Sequence, residues 1–303
     1  MKTFFCQQNR DKADSYIKAL LEAGYEETKD VEEADFVILD HNWGWRIMKY
    51  LRVSGKPIFM MLHGLRGSMF WDGRYKIYPI ERCYFVPAKG YVNMFKEGGY
   101  PAEIKSVGFS WCKVKPFQET TMKNILFAPI HPDNNGYNNT PEHANLNKRV
   151  WDILKKYAQE YSITVYNKFD ENLDDGVSKE DGVNYVNSTL SIDGAINMID
   201  QADIVISFDT FAFLSVARGK PTMMMDEFQY PPNKGRKRSV YWKIYEKKYM
   251  YPYRFLNVPG DPISNMLKCV KDGSSIQEWK DNFIGNNFDK TLFINTIKEK
   301  LNE

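Results

Sequence analysis

The chain has only four histidines in 303 residues, and two of them stand among residues that could move a proton. His63 opens the stretch His63-Gly64-Leu65-Arg66-Gly67-Ser68. Its two glycines would let the backbone approach a ligand closely, and Arg66 supplies a charge suited to phosphate. Asp40-His41-Asn42 offers a second acid–base pair, with Trp43 and Trp45 nearby. A histidine or carboxylate beside a substrate hydroxyl can act as a general base. A third stretch, Ser207-Phe208-Asp209-Thr210, suits a different task. It joins an apolar run to a helical pattern, and the first N–H groups of a helix attract anions, diphosphates especially, without a metal or a lysine. Asp209 and Thr210 are also residue types that cap helices. Each pattern has a plain counterpart: a lone histidine is commonly structural, and a strand–turn–helix unit needs no ligand.

All three stretches follow a short apolar run, at 34–39, 57–62 and 203–207. Such runs read as strands buried on both faces. Further strands are expected at 2–6, 83–86 and 104–107 in the first half, and at 124–129, 162–166, 183–186 and 221–225 in the second. Helical patterns at 11–23, 146–160, 191–201 and 209–218 alternate with them, the last closed by Gly219. This alternation predicts an α/β protein with two Rossmann-like, parallel, doubly wound domains. Ligands of such sheets sit beyond the carboxyl ends of the strands, which is where the three stretches fall. The strand pattern pauses after 107 and restarts at Asn124. Residues 1–115 are therefore expected to form one domain and 123–272 a second, with 273–303 as closing helices.

Composition narrows the classes. A hydrophobic fraction of 43% supports real cores, and 41 basic residues against 39 acidic ones make no global demand for nucleic acid or membrane. No apolar run approaches the roughly 18 residues of a membrane span, and the first residues lack the apolar core of a signal peptide. Cys6, Cys83, Cys112 and Cys269 are widely spaced, which argues against a disulfide scaffold and for the cytoplasm. The Tyr, Phe, Asn and Lys usage suits an AT-rich genome, such as that of a phage or a low-GC bacterium. Asp174-Asp175 lies in a polar loop with no third ligand at a suitable spacing, so no metal site is expected.

The order of motifs resembles one superfamily. Ala202-Asp203 through Ser207-Phe208-Asp209 to Gly219-Lys220-Pro221 resembles the donor-binding segment of GT-B glycosyltransferases and of two relatives, the CDP-glycerol glycerophosphotransferases and the UDP-GlcNAc 2-epimerases. Leu62-His63-Gly64 is similar to the "WHG" segment of the glycerophosphotransferases, with leucine in place of tryptophan. Residues 124–130, NILFAPI, resemble the "LFAPTxR" segment that opens the donor domain. The resemblance implies two domains facing a cleft, with the final helices crossing back onto the first. It implies a metal-independent transferase that moves a sugar from a nucleotide-diphosphate donor, expected to be UDP-linked, to a hydroxyl acceptor, with no other cofactor. His63 would be the base, with Asp40 or His41 in reserve. Arg66, His131, Ser207, Asp209 and Thr210 would face the leaving diphosphate. GT-B donor domains commonly hold the ribose with an acidic residue in the helix after the turn. Here that position falls at the apolar Phe213 or Leu214, which leaves Asp226 or Glu227 for the ribose.

Residues 228–254 mix basic side chains, among them Lys234, Arg236, Lys237 and Arg238, with seven tyrosines and tryptophans. Such interleaving suits a nucleic-acid backbone with stacked bases or an anionic membrane surface, and equally a solvated loop and helix with aromatics packed beneath. The acceptor expected from it is modified DNA, as for the phage DNA glycosyltransferases, or another anionic polymer. Two alternatives remain: glycerol-phosphate transfer to a polymer, and a GT-B-shaped protein that binds nucleotide or nucleic acid without catalysis.

Overall fold

Two sets of short apolar strands form two parallel sheets, one in each of two units. The computed structural model describes residues 1–6, 10–39, 51, 53–62, 71–72, 81–130, 141–167, 176–187, 190–225, 237–238, 240–256 and 260–303. The first unit contains residues 1–114, 232–250 and 279–303, and the second contains 115–231 and 251–278.

The chain begins with β1 (Lys2–Cys6), α1 (Arg10–Glu22), β2 (Glu26–Thr28), β3 (Phe36–Leu39), β4 (Ile58–Met61), β5 (Trp71–Asp72), β6 (Cys83–Val86), α2 (Lys89–Glu97) and β7 (Glu103–Ser106). The first sheet runs β2-β1-β3-β4-β6-β7, parallel throughout. Every residue of β3, β4 and β6 is buried, as central parallel strands require. The chain steps from β1 to β2 in one direction and then crosses back over β1 to β3. The switch point of this sheet therefore lies at the carboxyl ends of β1 and β3. Strand β2 (Glu-Glu-Thr) is a polar edge strand with no apolar period, so the apolar pattern did not reveal it.

The second unit follows with β8 (Asn124–Ala128), α3 (Pro141–Leu154), β9 (Ser162–Asn167), β10 (Asn184–Asn187), α4 (Ile192–Gln201), β11 (Ile204–Ser207), α5 (Asp209–Ala217) and β12 (Thr222–Met224). Its sheet order is β10-β9-β8-β11-β12, again all parallel. The segment entering this unit is fixed at the foot of α5. The Lys115 amide donates to Ala217 O at 2.8 Å and the Gln118 amide to Gly219 O at 2.8 Å. Asp200 accepts two hydrogen bonds from the Arg218 guanidinium, at 3.0 and 2.5 Å, and one from Lys115 Nζ at 2.9 Å. The Arg218 contact, aided by Lys115, holds the Asp200 carboxyl down at about 2.

The chain then adds β13 (Lys237–Arg238), α6 (Val240–Lys248), α7 (Pro262–Cys269), α8 (Gly273–Phe283) and α9 (Lys290–Leu301). In the first unit, α9 packs against α1, and Phe293 and Ile297 enter the core around Tyr16, Phe36, Phe59 and Phe85. The basic-aromatic segment is divided. Its portion from 232 to 250 lies in the first unit, where β13 pairs antiparallel with β5 and α6 packs on α2. Tyr241 and Tyr245 of α6 and Tyr249 just beyond it, four apart, form a stripe packed on Phe95 and Phe283 at ring separations of 5.1–5.5 Å. These three tyrosines are packing groups, one of the possibilities that the sequence left open for the segment. No helix among the described residues is long and apolar enough to cross a membrane.

Candidate functional site

In the second sheet the chain moves outward from β8 through β9 to β10, returns across β8 to β11, and continues the other way to β12. The reversal opens a crevice at the carboxyl ends of β8 and β11, because the connections on either side lead away in opposite directions. Ala128-Pro129-Ile130 forms one lip of the crevice, and Ser207-Phe208-Asp209-Thr210 the other.

Both lips are held firmly. Ser207 is buried, and its hydroxyl donates to Ala128 O at 3.0 Å, joining the two strand ends. The Met225 amide donates to Ser207 O at 2.9 Å, which ties in β12. On the other lip, Asn147 of α3 is fully buried. Its Oδ1 accepts from the Ile130 amide at 2.9 Å and its Nδ2 donates to Ile130 O at 2.6 Å. Asn147 was not among the residues expected from sequence. The signal was present: it sits three and four residues before Val150 and Trp151, on the apolar face of its helix, and a buried carboxamide must have partners.

Helix α5 begins at this crevice without a side-chain cap. Its N-cap is Phe208, in extended conformation and with no oxygen to offer. Ser191, Asp261 and Asp289, by contrast, cap α4, α7 and α9 at 3.2, 2.8 and 2.9 Å. Asp209 and Thr210 are thus the first and second helical residues and not the cap that their types suggested. A capping side chain typically stabilises a helix by about 1 kcal/mol. No N-cap side chain therefore claims the first-turn N–H groups of α5, which stand at the positive end of the helix dipole. Thr210 is half-buried, and the Phe211 ring rests on Tyr166 of β9 at 5.4 Å. Phe213 and Leu214 are buried at 3% and 4% exposure, so their apolar character serves packing in this unit.

Solved structures align with this chain along essentially its whole length. The spinosyn forosaminyltransferase SpnP aligns over 100% of this chain and 99% of its own, with a TM-score of 0.57 at 8% identity. The wall teichoic acid polymerase TagF aligns over 99% of this chain and 88% of its own, with a TM-score of 0.56 at 11% identity. The fold is that of the GT-B glycosyltransferases. The chain spans just over half, 56%, of the pneumococcal O-GlcNAc transferase GtfA, at 8% identity and a TM-score of 0.47. No model of a known protein family matches the sequence, and no curated protein matches it.

Of the residues expected from sequence, Ser207, Asp209 and Thr210 are brought together at the β11–α5 turn. Lys237 and Arg238 form β13 in the first unit, in register with Asp72 and Trp71. Asp40, His41, His63, Arg66, His131, Asp226, Glu227, Lys234 and Arg236 lie outside the described residues. The described strand ends that precede the first four are Leu39, at the switch point of the first sheet, and Met61 of its neighbour β4.

Proposed function

We propose that the protein is a metal-independent transferase whose nucleotide-diphosphate sugar donor lies with its phosphates at the uncapped start of α5. The observation that carries this reading is the coincidence of that start with the β8/β11 switch point. Either alone is common, but together they put a helix start without a side-chain cap, and its dipole, in the crevice where open α/β sheets take ligands. SpnP and TagF, which share the fold, are by name a forosaminyltransferase and a wall teichoic acid polymerase.

In the proposed reaction an acceptor hydroxyl attacks the anomeric carbon of the donor, and His63 takes the hydroxyl proton. A new C–O bond forms as the bond to the diphosphate breaks, and the diphosphate leaves with the electron pair. The α5 amides, with Arg66 and His131, stabilise the charge that develops. Ser207 positions the turn, since its hydroxyl is given to Ala128 and its carbonyl to the Met225 amide. UDP is the proposed carrier nucleotide, with Asp226 or Glu227 at the ribose.

A thermal-shift panel of UDP-, GDP-, CDP- and dTDP-linked donors tests the reading. One nucleotide series should raise the melting temperature through preferential binding to the folded state. Thr210→Glu should abolish that shift and leave the unliganded melting temperature within a few degrees, because a carboxylate in the first turn competes for the same amides. A folded Thr210→Glu protein with an unchanged shift would remove this turn from the donor site.

The acceptor we propose is an anionic polymer, with modified DNA as the leading candidate. Support comes from where the basic segment lies: residues 232–250 belong to the first unit, not to the unit with the donor crevice. There α2 and α6 pack together and expose Lys89, Lys96, Lys243 and Lys247. Affinity for duplex DNA should fall with salt, with a log–log slope of about −0.9 per phosphate contacted. Replacing Arg236, Lys237 and Arg238 together should flatten that slope by roughly two to three units. The absence of measurable DNA affinity at low salt would exclude DNA and turn the search to other anionic polymers, wall polymers first.

A further inference from the structure

The second sheet is not covered evenly. On one face α3 packs through Trp151, whose ring stacks on Phe127, and Ile163 and Val165 of β9 are buried there. On the other face α4 lies beside β8, and β9 and β10 form the open floor of a groove of about 350 Å³. Parallel register puts Leu126, Thr164 and Asn184 side by side on this floor. Gly194, Asn197, Met198 and Gln201, spaced three and four apart, form the wall that α4 contributes.

The groove has a particular chemistry. Four carboxamides (Asn124, Asn184, Asn197 and Gln201) and two hydroxyls (Ser162 and Thr164) line it, and among the described residues the nearest charge is the Asp203 carboxylate behind Asn124. Between them runs an apolar strip of Leu126, Val186 and Met198. Asn184 Nδ2 donates to Thr164 Oγ1 at 3.4 Å and Asn124 Nδ2 to Asp203 Oδ2 at 3.2 Å, while the side chains of Asn197 and Gln201 make no hydrogen bond among the described residues. Each carboxamide offers two donors and an acceptor, and each hydroxyl one donor and acceptor lone pairs. An anionic ligand would find no cation in this lining and the Asp203 carboxylate beside it, and an apolar one would leave the amides unpaired. Adjacent sugar hydroxyls are each donor and acceptor, and a sugar ring presents a C–H face to an apolar strip. A neutral saccharide satisfies both parts of the lining, and the volume falls at the small end of ligand sites, roughly 300–1,000 Å³.

We propose that this groove is a second binding site, for a neutral saccharide of one or two rings, separate from the donor crevice. Asn124, Ser162 and Asn184 begin their strands, whereas the crevice lies at the opposite, carboxyl ends, roughly 13 Å along the sheet. The site would hold glycan already attached to acceptor or product while the crevice handles the nucleotide. Its binding chemistry does not depend on the identity of the donor.

Saturation-transfer NMR and calorimetric titration of the full chain test this, with maltose and diacetylchitobiose as neutral probes and glucose 6-phosphate as the anionic one. Expected are saturable millimolar binding of a neutral disaccharide, retained in saturating UDP, and weaker binding of the phosphate. Asn197→Leu with Gln201→Leu should weaken the neutral probe about tenfold or more, and Thr164→Val should weaken it several-fold. Melting temperature and nucleotide affinity should be unchanged in both. No saturable binding of either neutral probe would overturn the proposal, as would binding indifferent to both variants. Concentration-dependent self-association that the double variant abolishes would show that this face meets a second copy of the chain and would equally overturn it.

Discussion

A Gly219→Ala protein is expected to lose about 2–5 kcal/mol of stability and to melt roughly 4–20 °C lower. Two effects add at this position. Gly219 has φ +76°, a region that costs a residue with a Cβ about 1–2 kcal/mol. An added Cβ would also stand 1.8 Å from Pro116 O, so the entering segment or the α5 terminus must shift, a cost of about 1–3 kcal/mol. Gly24 is the internal control. It has φ +86° with nothing within 4 Å of the added atom, so Gly24→Ala carries the strain alone. Denaturant unfolding of the two variants separates the effects, and equal losses would contradict a role for the Pro116 contact. The Gly-Lys-Pro wording, read from sequence as part of a donor-binding segment, is thereby given a structural reason: the segment entering the unit packs on it.

His63→Ala is expected to lower turnover by about 10² or more, the typical contribution of a positioned general base, with donor affinity nearly unchanged. The assay is release of free nucleoside diphosphate in the presence of acceptor, with donor affinity measured separately by calorimetry. Turnover that survives His63→Ala but is lost in His41→Ala or Asp40→Asn would move the base to the chain beyond β3. The first sheet gives that alternative weight, since β3 borders its switch point and β4, which precedes His63, is one strand further out. A protein that binds donor tightly yet releases no diphosphate with any acceptor would favour the non-catalytic reading.

The fold was legible in the sequence wherever a strand is buried on both faces. The apolar runs at 36–39, 58–61, 83–86 and 204–207 emerge as wholly buried strands because central parallel strands have no polar side to blur the pattern. The polar edge strand β2 was not, because three residues without an apolar side carry no period. Nor could the local pattern reveal that 232–250 leaves the second unit for the first, because that depends on tertiary partners. Tyr241 fits against Gly98, where an added Cβ would lie 2.2 Å from the ring, and Lys248 pairs with Glu97 at 2.7 Å. At the candidate site, the turn from Ser207 to Thr210 was legible as strand, turn and helix. The cap was not, because Asp209 and Thr210 advertise a role that the backbone gives to Phe208. Asn147 escaped because its importance lies in the Ile130 peptide, 17 positions away.

The most direct test of the donor-site assignment is amide hydrogen exchange, with and without the nucleotide sugar that stabilises the protein best. The account predicts that saturating ligand slows exchange at 208–212, the start of α5, and at Ile130 on the facing lip, with smaller changes along β9 and β10. Saturation that leaves 208–212 unaltered while slowing exchange elsewhere would contradict the assignment.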